Sequence, residues 1–397
     1  MNTEYVANQG TGKLDEIRTL ALAIKNKENV ALSGEPGNGK STTLKFISNL
    51  LGKPYCPRTV NKFEQVFDYK GAPIIMNGNV IYTDTMLKRA LRTGGVFVNE
   101  ESSELSEPIQ KYLSQLLADR ESFTIIDEHG NEFTLKEMKE KFDWKIDDFV
   151  YSETFNPLHN ETGRDNFVDS HRDRMNLKKY NDLDSLLSVY IALNDIGIKT
   201  KLPLTERGII YDSDADKLIF TEQNKDRIWK DVSGKEVSKI NLSKQKTYMF
   251  FNKEQFKDSD RESYIKSVDE LDPFYIEAVK YFIGLKHLIN KEPSMDSLSK
   301  YVKTEYVRDE AVGELKIVYP TLRLIKNTFK RYNSLVESGF GKEKARETVI
   351  TDAINNITYG ALANKSYNGS GTQEVFLTSK ARSADLLPKI ENASNEL

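Results

Sequence analysis

Cysteine is almost absent. Cys56 is the only one in 397 residues, so no intrachain disulfide can form and a reducing compartment is the simple expectation. The four histidines, His129, His159, His171 and His287, have no metal-ligand spacing and join no cysteine cluster, which argues against a structural zinc site. No run approaches the roughly 20 consecutive apolar residues of a membrane span. The opening MNTEYVANQG lacks the charged-then-apolar pattern of an export signal, so a cytoplasmic location without a membrane partner is expected. Charge of one sign is missing too. The net is −3, which gives no global footprint for nucleic acid and leaves only a local basic groove open.

What is present is the composition of a globular chain, 38% hydrophobic and 29% charged, with room for two or three domains. Residues 14–27 carry apolar positions at helical spacing, among them Ile17, Leu20, Leu22 and Ile24. Val30–Ser33 then reads as a short buried strand, followed by a glycine-rich turn and a helix over Ser41–Leu51. Helical pattern over Thr85–Leu91 precedes Gly94-Gly95 and the apolar strand Val96-Phe97-Val98. A further helix over Ile109–Leu117 leads to a hairpin, with Ser122–Ile126 and Glu132–Leu135 flanking Asp127-Glu128-His129-Gly130. Phe149–Ser152 reads as another core strand. Strands alternating with helices predict an α/β fold with a mainly parallel sheet covered on both faces.

Beyond residue 181 the texture changes. Asp182–Leu193 is helical, and Gly208–Thr221 reads as a hairpin in a polar, lysine-rich, short-stranded region. From Asp272 the pattern is helical again, over Phe274–Ile289, Pro320–Ser338 and Lys342–Tyr359. The expected domains are a nucleotide-binding core over 1–180, a mixed α+β insertion over 181–310, a helical lid over 311–362 and a polar tail over 363–397.

The chemistry concentrates in Gly34-Glu35-Pro36-Gly37-Asn38-Gly39-Lys40-Ser41, a full match to G-x-x-x-x-G-K-[ST]. Glycines let successive backbone N–H groups turn inward around a phosphate, and the following helix adds its dipole. In this pattern Lys40 reaches the β- and γ-phosphates and the Ser41 hydroxyl holds Mg²⁺. Thr42 completes the nucleotide-binding set. Such a site also needs a second Mg²⁺ ligand and a group that orients the attacking water, both at the end of a neighbouring strand. Val96-Phe97-Val98-Asn99-Glu100-Glu101 is the best candidate. Two registers are open: Glu100 near the metal with Glu101 on the water, or Asn99 near the metal with Glu100 on the water.

Thr93-Gly94-Gly95-Val96-Phe97-Val98-Asn99-Glu100-Glu101, continuing through Leu116-Leu117-Ala118-Asp119-Arg120, resembles the Walker B segment of MoxR-type AAA+ ATPases. The resemblance favours the Glu100/Glu101 register and marks a departure, Glu100 standing where the family has Asp. Thr154-Phe155-Asn156-Pro157 resembles the family's sensor 1, which implies that Asn156 helps to position water. Ser170-His171-Arg172-Asp173-Arg174-Met175 is similar to its Leu-Asp-Arg-Phe step, which puts Arg174 at the arginine finger with Arg172 as the alternative. The helical lid is similar to that of the NorQ and cobalt-chelatase branches, with Arg323 at sensor 2.

The resemblance implies a P-loop AAA+ core that binds ATP and Mg²⁺ between subunits of a hexameric homo-oligomer. It also implies an ATPase that remodels, assembles or activates a partner protein complex, one with a VWA domain among the candidates. The hairpin over 122–135 is expected to engage substrates. Two other functions stay open on the residues alone: a nucleic-acid-associated motor, and a nucleotide-gated scaffold that hydrolyses weakly because its Walker B is irregular.

Overall fold

Val96-Phe97-Val98 can be apolar without alternation because both faces of its strand are covered, as parallel sheets require. In the computed structural model this strand lies second from the edge of a five-stranded, all-parallel sheet. The structure describes residues 6–8, 16–34, 37–156, 168–179, 185–202, 205–212, 215–223, 228–237, 247–251, 258–291 and 321–362. By its contacts the chain divides into one unit of Met1–Asp182 with Leu204–Phe251 and another of Leu183–Pro203 with Asn252–Leu397. The stretch 181–310 therefore contributes to both. Among the described residues no helix is long and apolar enough to cross a membrane.

In chain order the first unit runs β1 Val6–Asn8, α1 Glu16–Lys25, β2 Val30–Ser33, α2 Lys40–Leu50, β3 Tyr55–Thr59, α3 Phe67–Lys70, β4 Pro73–Met76 and β5 Asn79–Tyr82. It continues through α4 Met86–Thr93, β6 Val96–Glu100, α5 Glu107–Ala118, β7 Thr124–Ile126, β8 Glu132–Thr134, α6 Leu135–Phe142, β9 Val150–Phe155, α7 Asp169–Arg172 and β10 Asn176–Lys179. The parallel sheet has the order β10-β2-β9-β6-β3. On one face Val30, Leu32, Val96, Val98 and Val150 pack against Ile17, Leu20 and Ile24 of α1 and Leu44 and Ile47 of α2. On the other, Phe97 and Tyr151 pack against Leu87, Leu91, Ile109, Leu113 and Leu116. Each fully buried side chain of this kind contributes about 1.5–3 kcal/mol.

Several elements have no counterpart in the sequence pattern, each for a physical reason. β3 contains Pro57, which an edge strand tolerates and a central one does not. Gly95 sits close beside it: a Cβ there would lie 2.7 Å from the Pro54 carbonyl oxygen. Residues 73–82 form an antiparallel hairpin, and Asn77 and Gly78 at its turn have φ of 52° and 81°, the left-handed pair that a two-residue turn needs. The expected hairpin over 122–135 forms as β7 and β8, but its second strand stops at Thr134, not Leu135. Thr134 and Glu137 make a reciprocal capping box there, and α6 begins.

α4 also has a side-chain cap. Thr85 Oγ1 accepts from Lys88 N at 3.2 Å and donates to the Tyr69 carbonyl at 2.9 Å. Thr85→Ala should lower local stability by about 1 kcal/mol, seen as roughly fivefold faster hydrogen exchange of the first α4 amides. Unchanged protection would remove this cap from the account.

A second sheet belongs to the same unit: β11 Thr205–Asp212, β12 Lys217–Gln223, β13 Trp229–Asp231 and β14 Thr247–Phe251 join β1 in the order β1-β14-β11-β12-β13. Arg18 of α1 ties it to the core, donating to the Thr221 carbonyl at 2.7 Å and to Glu222 at 3.3 Å. The other unit is helical, with Ser185–Asp195, Asp258–Leu271, Phe274–Lys291, Leu322–Glu337 and Lys342–Leu362. Phe274 stacks on Tyr332 at 3.9 Å, and Lys330 pairs with Asp195 at 2.8 Å. The polar tail, 363–397, lies outside the described residues.

Candidate functional site

β2 delivers the chain at the carboxyl edge of the sheet, where the Gly34 N–H donates to the Phe155 carbonyl at the end of β9. The turn that follows has Gly37 at φ 81° and Gly39 at φ 86°, left-handed positions that a side chain would strain. Gly39 caps α2, and Lys40 is its first residue. Lys40 is 8% exposed. Its Nζ donates to the Gly34 carbonyl at 2.6 Å and to Asn156 Oδ1 at 3.2 Å. The ammonium thus spans the turn and meets the residue that follows β9. Ser41 and Thr42 follow in the first turn of α2, half-buried and exposed respectively, while Asn38 and Gly39 are half-buried. Glu35 and Pro36 lie outside the described residues.

Strand alternation separates the acidic candidates. Glu100 shares a face with Val96 and Val98, toward α2, and its Oε1 accepts from the Tyr55 hydroxyl at 3.1 Å. Thr59 Oγ1 lies 3.5 Å from Oε2. The same Tyr55 hydroxyl is 3.4 Å from the Ser41 carbonyl, so it links the start of α2 to the end of β6. Burial and the adjacent Glu100 raise the Tyr55 pKa strongly, which keeps the phenol a proton donor. Asn99 points to the opposite face and is fully buried. Its Nδ2 donates to the Tyr151 hydroxyl at 2.9 Å, and its Oδ1 accepts from the Tyr69 hydroxyl at 3.2 Å. Glu101 leaves the strand with φ 60° and is exposed. A left-handed non-glycine residue costs on the order of 1 kcal/mol or more and clusters at functional sites.

The arginines stand apart from this group. Arg172 and Arg174 are exposed. The Arg174 guanidinium donates to the Ser170 carbonyl, and its own carbonyl accepts from Asn29 Nδ2 at 3.3 Å. Asn29 precedes β2, so Arg174 lies at the amino edge of the sheet, whereas the glycine-rich turn lies at the carboxyl edge. Crossing four strand residues alone takes about 13 Å. Arg323 is exposed in the first turn of Leu322–Glu337, in the helical unit.

The structure therefore gathers Gly34, Gly37, Gly39, Lys40, Ser41, Glu100 and Asn156 at one edge. Tyr55 and Thr59 are additions that the sequence pattern did not single out. The signal for them is positional: they lie on the strand beside the Walker B candidate, whose pairing puts Thr59 opposite Glu100. The donor set is a helix N-terminus, an ammonium, a hydroxyl and a carboxylate. That hard, oxygen- and cation-rich chemistry fits a polyphosphate with Mg²⁺.

Residues 29–165 match the model of the AAA domain (dynein-related subfamily). Protein NorQ of Paracoccus denitrificans (strain Pd 1222) is 27% identical over 137 residues, 32% of this chain and 50% of that one. The chain thus spans about half the length of this curated relative. A solved protein of Cytophaga hutchinsonii ATCC 33406 is similar at 12% identity and a TM-score of 0.36, over 96% of this chain and 88% of that one. Over residues 29–165 the chain is therefore similar to AAA+ proteins of the group that includes NorQ.

Proposed function

We propose that the chain binds ATP with Mg²⁺ in the turn after β2 and hydrolyses it within an oligomeric ring to remodel a partner protein complex. The observation that carries the nucleotide half is Lys40, held between Gly34 and Asn156 at 2.6 and 3.2 Å with Glu100 facing the same helix. Lys40 and the α2 amides bind the β- and γ-phosphates. Ser41 and Glu100 would hold Mg²⁺, which when bound neutralises phosphate charge and orders the β- and γ-oxygens. Glu101 orients the attacking water and draws its proton, and Asn156 fixes that water against Lys40. Arg174 from the neighbouring subunit stabilises charge on the γ-phosphate, with Arg172 the alternative and Arg323 the sensor in the lid. A hexameric ring, a cytosolic setting and a VWA-type partner rest on the family likeness.

One observation favours a second reading, a weakly hydrolysing scaffold. Glu100 is a methylene longer than the family's Asp and is held by Tyr55. Turnover of the purified protein separates the two.

Site roles are tested by paired substitutions. Glu101→Gln should bind ATP with near-normal affinity and hydrolyse it at least about a hundredfold more slowly. Glu100→Gln should weaken Mg²⁺-dependent binding as well. Exchanged phenotypes would move the metal-proximal role to Asn99, against the strand facing described above.

A further inference from the structure

Behind the nucleotide edge runs a buried polar chain that the roles above leave unused. Glu153, in the middle of β9, is 1% exposed. Its Oε1 accepts from the Tyr151 hydroxyl at 2.5 Å and lies 2.7 Å from Nε2 of His171, which is fully buried. The other imidazole nitrogen is 3.3 Å from Ser114 Oγ on α5. Gln110, one turn earlier on α5, accepts the Val168 N–H at 2.7 Å. In the other direction Tyr151 meets Asn99, the neighbour of Glu100 on β6. Among Val168 to Arg174, His171 alone is buried, and the residues on either side of it are exposed. His171 is thus the one buried side chain of the short helix that carries Arg172 toward Arg174, beside the Gln110 and Asn29 contacts to its backbone ends. A buried carboxylate needs a partner of this kind to leave water at all. Three residues after Glu153, directly beyond the end of the same strand, Asn156 touches Lys40.

We propose that His171, gripped by Glu153, is a positioning residue that sets the Arg172–Arg174 segment for the neighbouring subunit's site and links it to the strand that senses nucleotide. The proposal rests on the reading of Arg174 as a finger acting in trans. Misplacing a catalytic group by about 1 Å can cost on the order of a hundredfold in rate. A subunit that lacks the imidazole should behave as one with an intact glycine-rich site and a defective finger.

Mixed oligomers test this. His171→Leu should bind ATP within about twofold of wild type and, alone, hydrolyse it about a hundredfold more slowly. Mixed with Lys40→Ala subunits, which keep their finger, it should regain activity. Mixed with Arg174→Ala subunits it should not. His171→Gln, whose carboxamide can still donate to Glu153, should retain more activity than His171→Leu. Because an unpaired Glu153 can destabilise the fold, the same mixtures are made with His171→Leu/Glu153→Gln, which removes the stranded charge. Recovery with Arg174→Ala but not with Lys40→Ala would place the effect in the variant's own site and overturn the proposal. Loss of ATP binding in both variants would make the pair a requirement of the fold alone, and also overturns it. The control mixture of Lys40→Ala with Arg174→Ala reports separately on the finger: if it stays inactive, the trans reading fails and takes this proposal with it.

Discussion

Lys40→Ala should lose nucleotide binding by on the order of a hundredfold or more, and turnover with it. The ammonium spans the glycine-rich turn, with the Gly34 carbonyl at 2.6 Å and Asn156 Oδ1 at 3.2 Å. Phosphate oxygens would take its hydrogen bonds as ATP enters, and charged hydrogen bonds of this type contribute about 1.5–3 kcal/mol each. The α2 amides remain in the variant, but a helix N-terminus carries only about half an elementary charge. It cannot neutralise a triphosphate alone. Titration calorimetry with ATP and Mg²⁺, together with phosphate release, measures both losses. Wild-type affinity in the variant would mean that Gly34–Ser41 is not the nucleotide site.

Arg174→Ala should bind ATP normally and turn over about 10³–10⁵-fold more slowly, the usual worth of an arginine finger. The geometry behind this is the distance between the two edges of the sheet. Arg174 is fixed beside Asn29 at the amino edge, while Lys40 lies at the carboxyl edge. Its own site is out of reach, so the proposed finger role requires another subunit. Mixing Arg174→Ala with Lys40→Ala should restore part of the activity, because one kind of interface then joins an intact turn to an intact finger. Activity per subunit of the wild type should also rise with protein concentration as the oligomer forms. A flat concentration dependence with an inactive mixture would favour a monomeric enzyme.

The parts legible in the sequence are those whose physics is local. β2, the turn and α2 follow one another within about twenty residues, and each leaves its own mark: an apolar run, glycines, a helical period. β3 was hidden by Pro57 and β10 by its lysines, because edge strands need not read as buried. The Asn77-Gly78 turn and the Thr134–Glu137 box did leave signals, short ones that hydrophobic periodicity overlooks. The Walker B register shows the limit most clearly. Asn99 and Glu100 are adjacent in sequence and opposite in space, and only the packing of β6 tells which one faces α2. Tyr55 reaches Glu100 across 45 positions and Glu153 reaches His171 across 18. No pattern within a single segment carries such contacts.

The interleaving of the first unit bears on how the chain is made. Val6 pairs with Met249, and the buried Arg18 finds Thr221 and Glu222. A ribosome releasing about 5–20 residues per second would leave that arginine waiting roughly 10–40 s for its partners. The parallel sheet, complete by Lys179, can form in the meantime. If the parallel sheet forms first, the glycine-rich turn would be in place while Arg18 of α1 still lacks its contacts to the second sheet. ATP available during synthesis would stabilise the folded pocket by mass action before the second sheet arrives.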